Sequence, residues 1–141
     1  MYSFLLYIYM KVCIMAPDRV VLDIEVEEVV LPTTTGQIGV LSNHTPLVTG
    51  IGMGVMLLRE QAEWSAIALL RGFAFIQDNV VTVLVNEAEF PQNINADEAQ
   101  AAYAEAEAEL AKAQTPTETY LANVKCQRAR VRYQVTQVLQ S

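Results

Sequence analysis

The sequence changes character near Asn95. Before it, short runs rich in Val, Ile and Leu are punctuated by glycine and proline. After it there is no glycine, and Ala, Glu and Gln take over. A chain that switches its pattern in this way reads as two units, a β unit followed by an α unit. Its 141 residues suit about one domain, since domains usually run to ~100–200 residues.

The β unit is a series of short runs separated by turn signals. Residues 11–16 alternate, with Val12 and Ile14 on one face, and residues 17–19 form a turn. In residues 20–32, Ile24, Val26, Val29 and Leu31 point inward, and the adjacent Glu27 and Glu28 predict a bulge. A loop over 33–37, a strand over 38–41 and a loop over 42–46 follow. Gly50, Gly52 and Gly54 predict a bend with close backbone approach or positive φ. Residues 55–59 and 64–70 read as one hairpin; residues 72–77 and 80–86 read as another, around Asp78 and Asn79. Many strands at this spacing argue for a sandwich or barrel, with Ile14, Leu31, Val40, Leu69, Phe73 and Val83 in its core.

The α unit reads as two helices. Asn95 followed by Glu98 is an N-cap pattern, and Ala99, Ala102, Tyr103, Ala106, Leu110 and Ala113 recur at helical spacing. A stripe that is mostly Ala needs a closely packed partner. Thr115, Pro116 and Glu118 signal a second start: N-cap, first helical position and capping-box carboxylate. Leu121, Val124, Val131, Val135 and Val138 make one face, interrupted by Arg128. The short connection forces an antiparallel hairpin. The first helix is acidic and the second basic, through Lys125, Arg128, Arg130 and Arg132.

Little here carries chemistry. A net charge of −7 disfavours general binding to nucleic acid or anionic lipid. Cys13 and Cys126 lie far apart, which excludes a zinc ribbon or a disulfide-dense scaffold. His44 is the sole histidine, so no site can use two imidazoles. It lacks a nucleophile elbow, and Cys126 lacks a second histidine to activate it. Glu27 and Glu28 read as a solvated strand edge; Tyr103, Tyr120 and Tyr133 read as hairpin packing. No residue is assigned to catalysis, a cofactor or a metal. These residues favour an interaction protein. A β-sandwich adaptor with a helical hairpin, and a small hydrolase using His44 or Cys126, are the competing readings. The apolar residues 1–9 are shorter than the ~20 needed to span a bilayer. They are either a short extension or lie ahead of a true start at Met10.

One run is more specific. Residues 29–47, VVLPTTTGQIGVLSNHTPL, strongly resemble the signature of the ATP synthase epsilon subunit family of bacteria and chloroplasts. Residues 16–20 (APDRV), 72–74 (GFA), 80–86 (VVTVLVN) and 128–133 (RARVRY) agree in order, and the wording is closest to plastid and cyanobacterial members. The resemblance implies an α+β fold: a ten-stranded β-sandwich over 10–93, then an antiparallel α-helical hairpin over 94–141. It implies a rotor subunit without an active site or cofactor, which binds the gamma subunit, rests on the c-ring and regulates ATP hydrolysis. By position, His44, Pro46 and Leu47 would face gamma, and Thr34, Thr35 and Gln37 the c-ring. Arg128, Arg130 and Arg132 would be candidates for an acidic loop of the catalytic beta subunit. Arg128 and Arg132 share a helix face with Lys125, so these three form the regulatory set. The implied location is peripheral on the thylakoid membrane, on the stromal side of a plastid or the cytoplasmic side of a cyanobacterium. The membrane is then touched only through the complex. Some bacterial members bind ATP through an Ile-Asp-x-x-Arg-Ala motif. Here Asn95 replaces the aspartate and Glu98 the arginine, which argues against ATP sensing by that route.

Overall fold

Alternating inward and outward side chains give two antiparallel strands, β1 (Met10–Ala16) and β2 (Arg19–Val26), joined at Pro17 and Asp18. Five more follow: β3 (Glu28–Thr33), β4 (Gly36–Leu41), β5 (Leu47–Glu60), β6 (Glu63–Gln77) and β7 (Val80–Glu89). The structure, a computed structural model, describes residues 9–139. The extension expected over residues 1–9 therefore lies, except for Tyr9, outside the described residues. Among those described, seven strands form one hydrogen-bonded sheet in the order β2-β1-β7-β6-β5-β3-β4, with β1 and β7 parallel. The β5–β6 and β6–β7 turns place Gln61, Ala62, Asp78 and Asn79 at positive φ, as two-residue hairpins with right-handed twist require.

The sheet folds over on itself into a sandwich, and the inward-facing residues mark the corner. In β6 the core positions are Ile67 and Leu69, then Ala74 and Ile76. In β5 they are Ile51, then Met56 and Leu58; in β7 they are Val81, Val83 and Val85, then Ala88. Each strand changes inward parity once. A one-residue change turns a strand over, so all three turn the corner together and keep their apolar sides inside. Arg71, with φ 52°, lies at the turn and outside the ladder pairings on both sides. Next to it, a Cβ on Gly72 would lie 1.8 Å from the Leu84 carbonyl oxygen. Only glycine lets the two backbones cross there.

Three sequence expectations are corrected, and a fourth, for the β5 glycines, is narrowed to one of its two branches. The sandwich has seven strands rather than ten, because β5, β6 and β7 run unbroken through the corner, and residues 64–70 and 72–77 are halves of one strand. Phe73 is 58% exposed and not core, since the parity change at Arg71 turns it outward. The three glycines of β5 have no positive φ; they do provide close approach, with Gly54 against Pro32 and Gly50 against Thr34. Finally, Glu27 separates β2 from β3, which begins at Glu28. Both carboxylates bind Arg59, at 2.7 and 3.0 Å, instead of forming a solvated edge. The register irregularities lie elsewhere, in β1 between Ile14 and Met15 and in β3 between Val30 and Thr33.

A 3-10 turn (Pro91–Asn93) leads into α1 (Ala96–Lys112) and α2 (Pro116–Gln137). Both caps form as expected. The Asn95 side chain accepts the Glu98 N–H, and Thr115 accepts the Glu118 N–H, each at 3.0 Å. The Glu118 carboxylate reaches one residue further back than expected, accepting the Gln114 N–H at 3.1 Å. The α2 stripe is shorter than its sequence suggests. Val131 and Val135 are buried against Ala66 and Ala68 on the outer face of β6. Tyr120 and Leu121 are both 61% exposed and Val138 is exposed too, so Tyr120 is not a packing residue. Only the second half of α2 lies over the sandwich, and Ala66 and Ala68 let it approach closely. The Tyr103 and Tyr133 rings meet across the hairpin, with centroids 6.3 Å apart.

Candidate functional site

Strand alternation puts Phe73 and Phe75 on the side opposite Ala74 and Ile76. Across the ladders Phe73 pairs with Leu84, Leu84 with Met15, and Phe75 with Val48. Phe73, Phe75, Leu84 and Val48 are all exposed. Together they make a contiguous apolar face that no described element covers. Patches of this kind mark interaction sites far more often than scattered surface apolar residues do.

The expected gamma-contact residues lie at one edge of this face. Leu47 and Val48 begin β5, and Leu47 pairs with Ile76. The preceding loop is tied down where the Asn43 N–H donates to the Asn79 side-chain oxygen. His44 is half-buried, and its Nδ1 lies 2.7 Å from the Thr45 carbonyl oxygen. Among the described residues it has no carboxylate to orient it and no nucleophile to activate, so the hydrolase reading has no geometric support. Thr34, Thr35 and Gln37 are exposed at the other end of β4. The six-residue strand spans about 20 Å at ~3.3 Å per residue between this turn and the loop that carries His44. The turn leans on β5 through the Thr34 N–H, which donates to the Gly50 carbonyl at 3.2 Å.

The basic set on α2 is engaged within the molecule. Arg128 makes a bidentate pair with Glu87 at 2.9 and 2.7 Å. The Arg132 Nε lies 3.0 and 3.1 Å from the two Glu89 oxygens. Lys125 pairs with Glu109 of α1 at 3.0 Å, and this carboxylate, with a smaller contribution from Glu105, raises the Lys125 pKa above 10.5. The two arginine pairs depend on a match of periods. Residues two apart on a strand are ~6.6 Å apart, and residues four apart on a helix ~6 Å. Glu87 and Glu89 on β7 therefore meet Arg128 and Arg132 one for one. This explains the arginine in the apolar stripe, whose partner is a strand carboxylate rather than an acid of α1. Sequence reading missed Glu87 and Glu89, although their spacing of two opposite an i, i+4 arginine pair was a usable signal. It also missed the apolar face, because it assigned Phe73 to the core.

The run that replaces the bacterial nucleotide motif is engaged in structure as well as altered in sequence: the Asn95 side chain accepts the helix-cap hydrogen bond, and Ile94 is buried under the hairpin.

A family model for the ATP synthase Delta/Epsilon chain beta-sandwich domain matches residues 9–91, and one for the Delta/Epsilon long alpha-helix domain matches residues 92–137. The chain belongs to the ATP synthase delta/epsilon chain family. It is 48% identical over 126 residues to the chloroplastic ATP synthase epsilon chain of Oltmannsiellopsis viridis, covering 89% of this chain and 96% of that one. With the Chlorella vulgaris epsilon chain it shares 46% over 130 residues, or 92% and 97% of the two chains. Its fold is similar to that of a chain in the Euglena gracilis mitochondrial ATP synthase OSCP/F1/c-ring assembly. The TM-score is 0.79 at 19% identity, covering 87% of this chain and 78% of that one. A chain of the Tetrahymena thermophila mitochondrial ATP synthase central stalk and c-ring gives 0.65 at 13%, covering 91% and 96%. Membership of this family makes the chain a non-catalytic epsilon-type subunit of an F-type ATP synthase.

Proposed function

We propose that this chain is a rotor subunit of a plastid ATP synthase, joined to gamma through the Phe73, Phe75, Leu84 and Val48 face, with His44, Pro46 and Leu47 at its edge. The observation that carries this reading is the uncovered apolar face itself. Two phenylalanines standing side by side in solvent are costly unless a partner covers them, since each carries roughly 150–250 Å² of surface. Thr34, Thr35 and Gln37, at the opposite end of β4, are the contact to the c-ring. Co-purification with gamma tests this: a stable one-to-one complex is expected, and a chain that elutes free of gamma would refute it.

Location follows from these partners. The epsilon chains of the chloroplast relatives support a place on the stromal side of the thylakoid membrane, reached through the c-ring. Among the described residues no helix is long and apolar enough to cross a membrane.

Lys125, Arg128 and Arg132 form the regulatory surface, directed at an acidic loop of the catalytic beta subunit. In the docked hairpin their charges are held by Glu109, Glu87 and Glu89. Regulation is thus a competition between carboxylates within the chain and carboxylates of the catalytic subunit. Free ATP takes no part in it: titration calorimetry on the full chain should show millimolar affinity or none, because a carboxylate at position 98 repels a polyphosphate. Micromolar binding would contradict this.

A further inference from the structure

At the corner of the sandwich, where α2 passes over it, lies an open groove of ≈ 900 Å³. Its floor is apolar and includes Ile51, Met53, Phe73 and Leu84. Its walls carry Arg71 from the sandwich and Arg130 from α2. The chain has six arginines. Arg59, Arg128 and Arg132 are paired with carboxylates, and Arg19 donates to the Ala88 carbonyl. Arg71 and Arg130 have no side-chain hydrogen bond or ion pair among the described residues. In a protein of net charge −7, the two arginines left with neither a carboxylate nor any other side-chain hydrogen bond among the described residues line the same groove. Phe73 and Leu84 belong both to this groove and to the exposed apolar face, so the two surfaces are continuous.

We infer that this groove receives an acidic segment of the same partner that covers the apolar face: a stretch of gamma that places apolar side chains on Phe73 and Leu84 and carboxylates on Arg71 and Arg130. The inference rests on the proposed gamma-binding face and adds an electrostatic anchor to it. The charge pattern argues for this occupant. An apolar segment alone leaves both guanidinium groups unused, and a small free anion leaves the apolar floor bare. A segment seated here touches the sandwich through Arg71 and the hairpin through Arg130, so it recognises the chain with α2 docked. Arg130, which faces away from Lys125, Arg128 and Arg132 on the helix, thereby gains a role distinct from theirs.

The test uses the full chain and purified gamma, with Arg71→Asn and Arg130→Gln combined; Asn tolerates the left-handed backbone at position 71. Gamma affinity should fall about tenfold or more, as expected when carboxylates lose their charge partners at an interface. Its salt dependence should flatten. The thermal midpoint should stay unchanged, and Arg71→Lys with Arg130→Lys should restore most of the affinity. Normal binding by the unaltered chain, with unchanged affinity and salt dependence in the Asn/Gln variant, overturns the anchor and leaves the apolar face standing. Failure of the unaltered chain to bind gamma overturns both. A second measurement follows the melting temperature in inorganic phosphate at constant ionic strength. No shift is expected; a rise that the Asn/Gln variant abolishes would make the groove a small-anion site and overturn the acidic-segment inference.

Discussion

A chain carrying Phe73→Asp and Phe75→Asp should fold normally and lose its gamma partner. Phe73 is 58% and Phe75 39% exposed, so neither change removes core packing, and surface substitutions usually shift stability by less than about 0.5 kcal/mol. At an interface the arithmetic differs. Truncating a central aromatic costs about 2–4 kcal/mol, and a buried unpaired carboxylate adds to that. Two such changes should weaken gamma binding by more than about 100-fold, measured by calorimetry or co-purification. His44→Ala, at the rim, should cost under about tenfold, because rim groups stay wet. A double variant that melts normally and binds gamma as well as the unaltered chain would remove the face from the interface.

The second large effect turns on which partner of the docked ion pairs is altered. Glu87→Gln with Glu89→Gln leaves the α2 arginines intact but removes the carboxylates that hold them. Each pair is partly exposed, so about 0.5–1 kcal/mol apiece is a fair figure. Losing both shifts the docked-to-undocked balance by roughly 5- to 30-fold, since 1.4 kcal/mol is a factor of ten. The freed arginines then reach the catalytic assembly more often, and ATP hydrolysis by the reconstituted enzyme should fall severalfold. Replacing Lys125, Arg128 and Arg132 by Ala loosens the hairpin in a similar way but deletes the charges that act as the brake, so hydrolysis should rise. Opposite signs from two sets of changes at the same contacts identify the arginines as effectors. Equal signs would reduce them to structural pins.

The two-unit layout and both helix starts were legible because each rests on local chemistry: Asn95 and Thr115 as caps, and Pro116 where no N–H is needed. The turns at Gln61 and Asp78 were legible for the same reason. The corner was not. Nothing in the residues around Arg71 signals a left-handed arginine, and that single backbone angle moved Phe73 from the core to the surface. With it went the main candidate interface. The site residues taken from the family resemblance fall on exposed turns and on α2, but a resemblance by position carries no information on internal partners. Glu87 and Glu89 could be found only by laying a strand period against a helix period across some 40 residues of chain.

The shared corner has a mechanical meaning. Two stacked sheets joined only by side-chain contact can slide past one another, because dispersion contacts resist separation better than shear. Here three neighbouring strands pass from one layer to the other without a break, so relative sliding would have to stretch main chain and rupture ladder hydrogen bonds at the same level in all three. The sandwich therefore resists sliding of one layer over the other. Its two layers have no separate weak mode, and they should yield together or not at all.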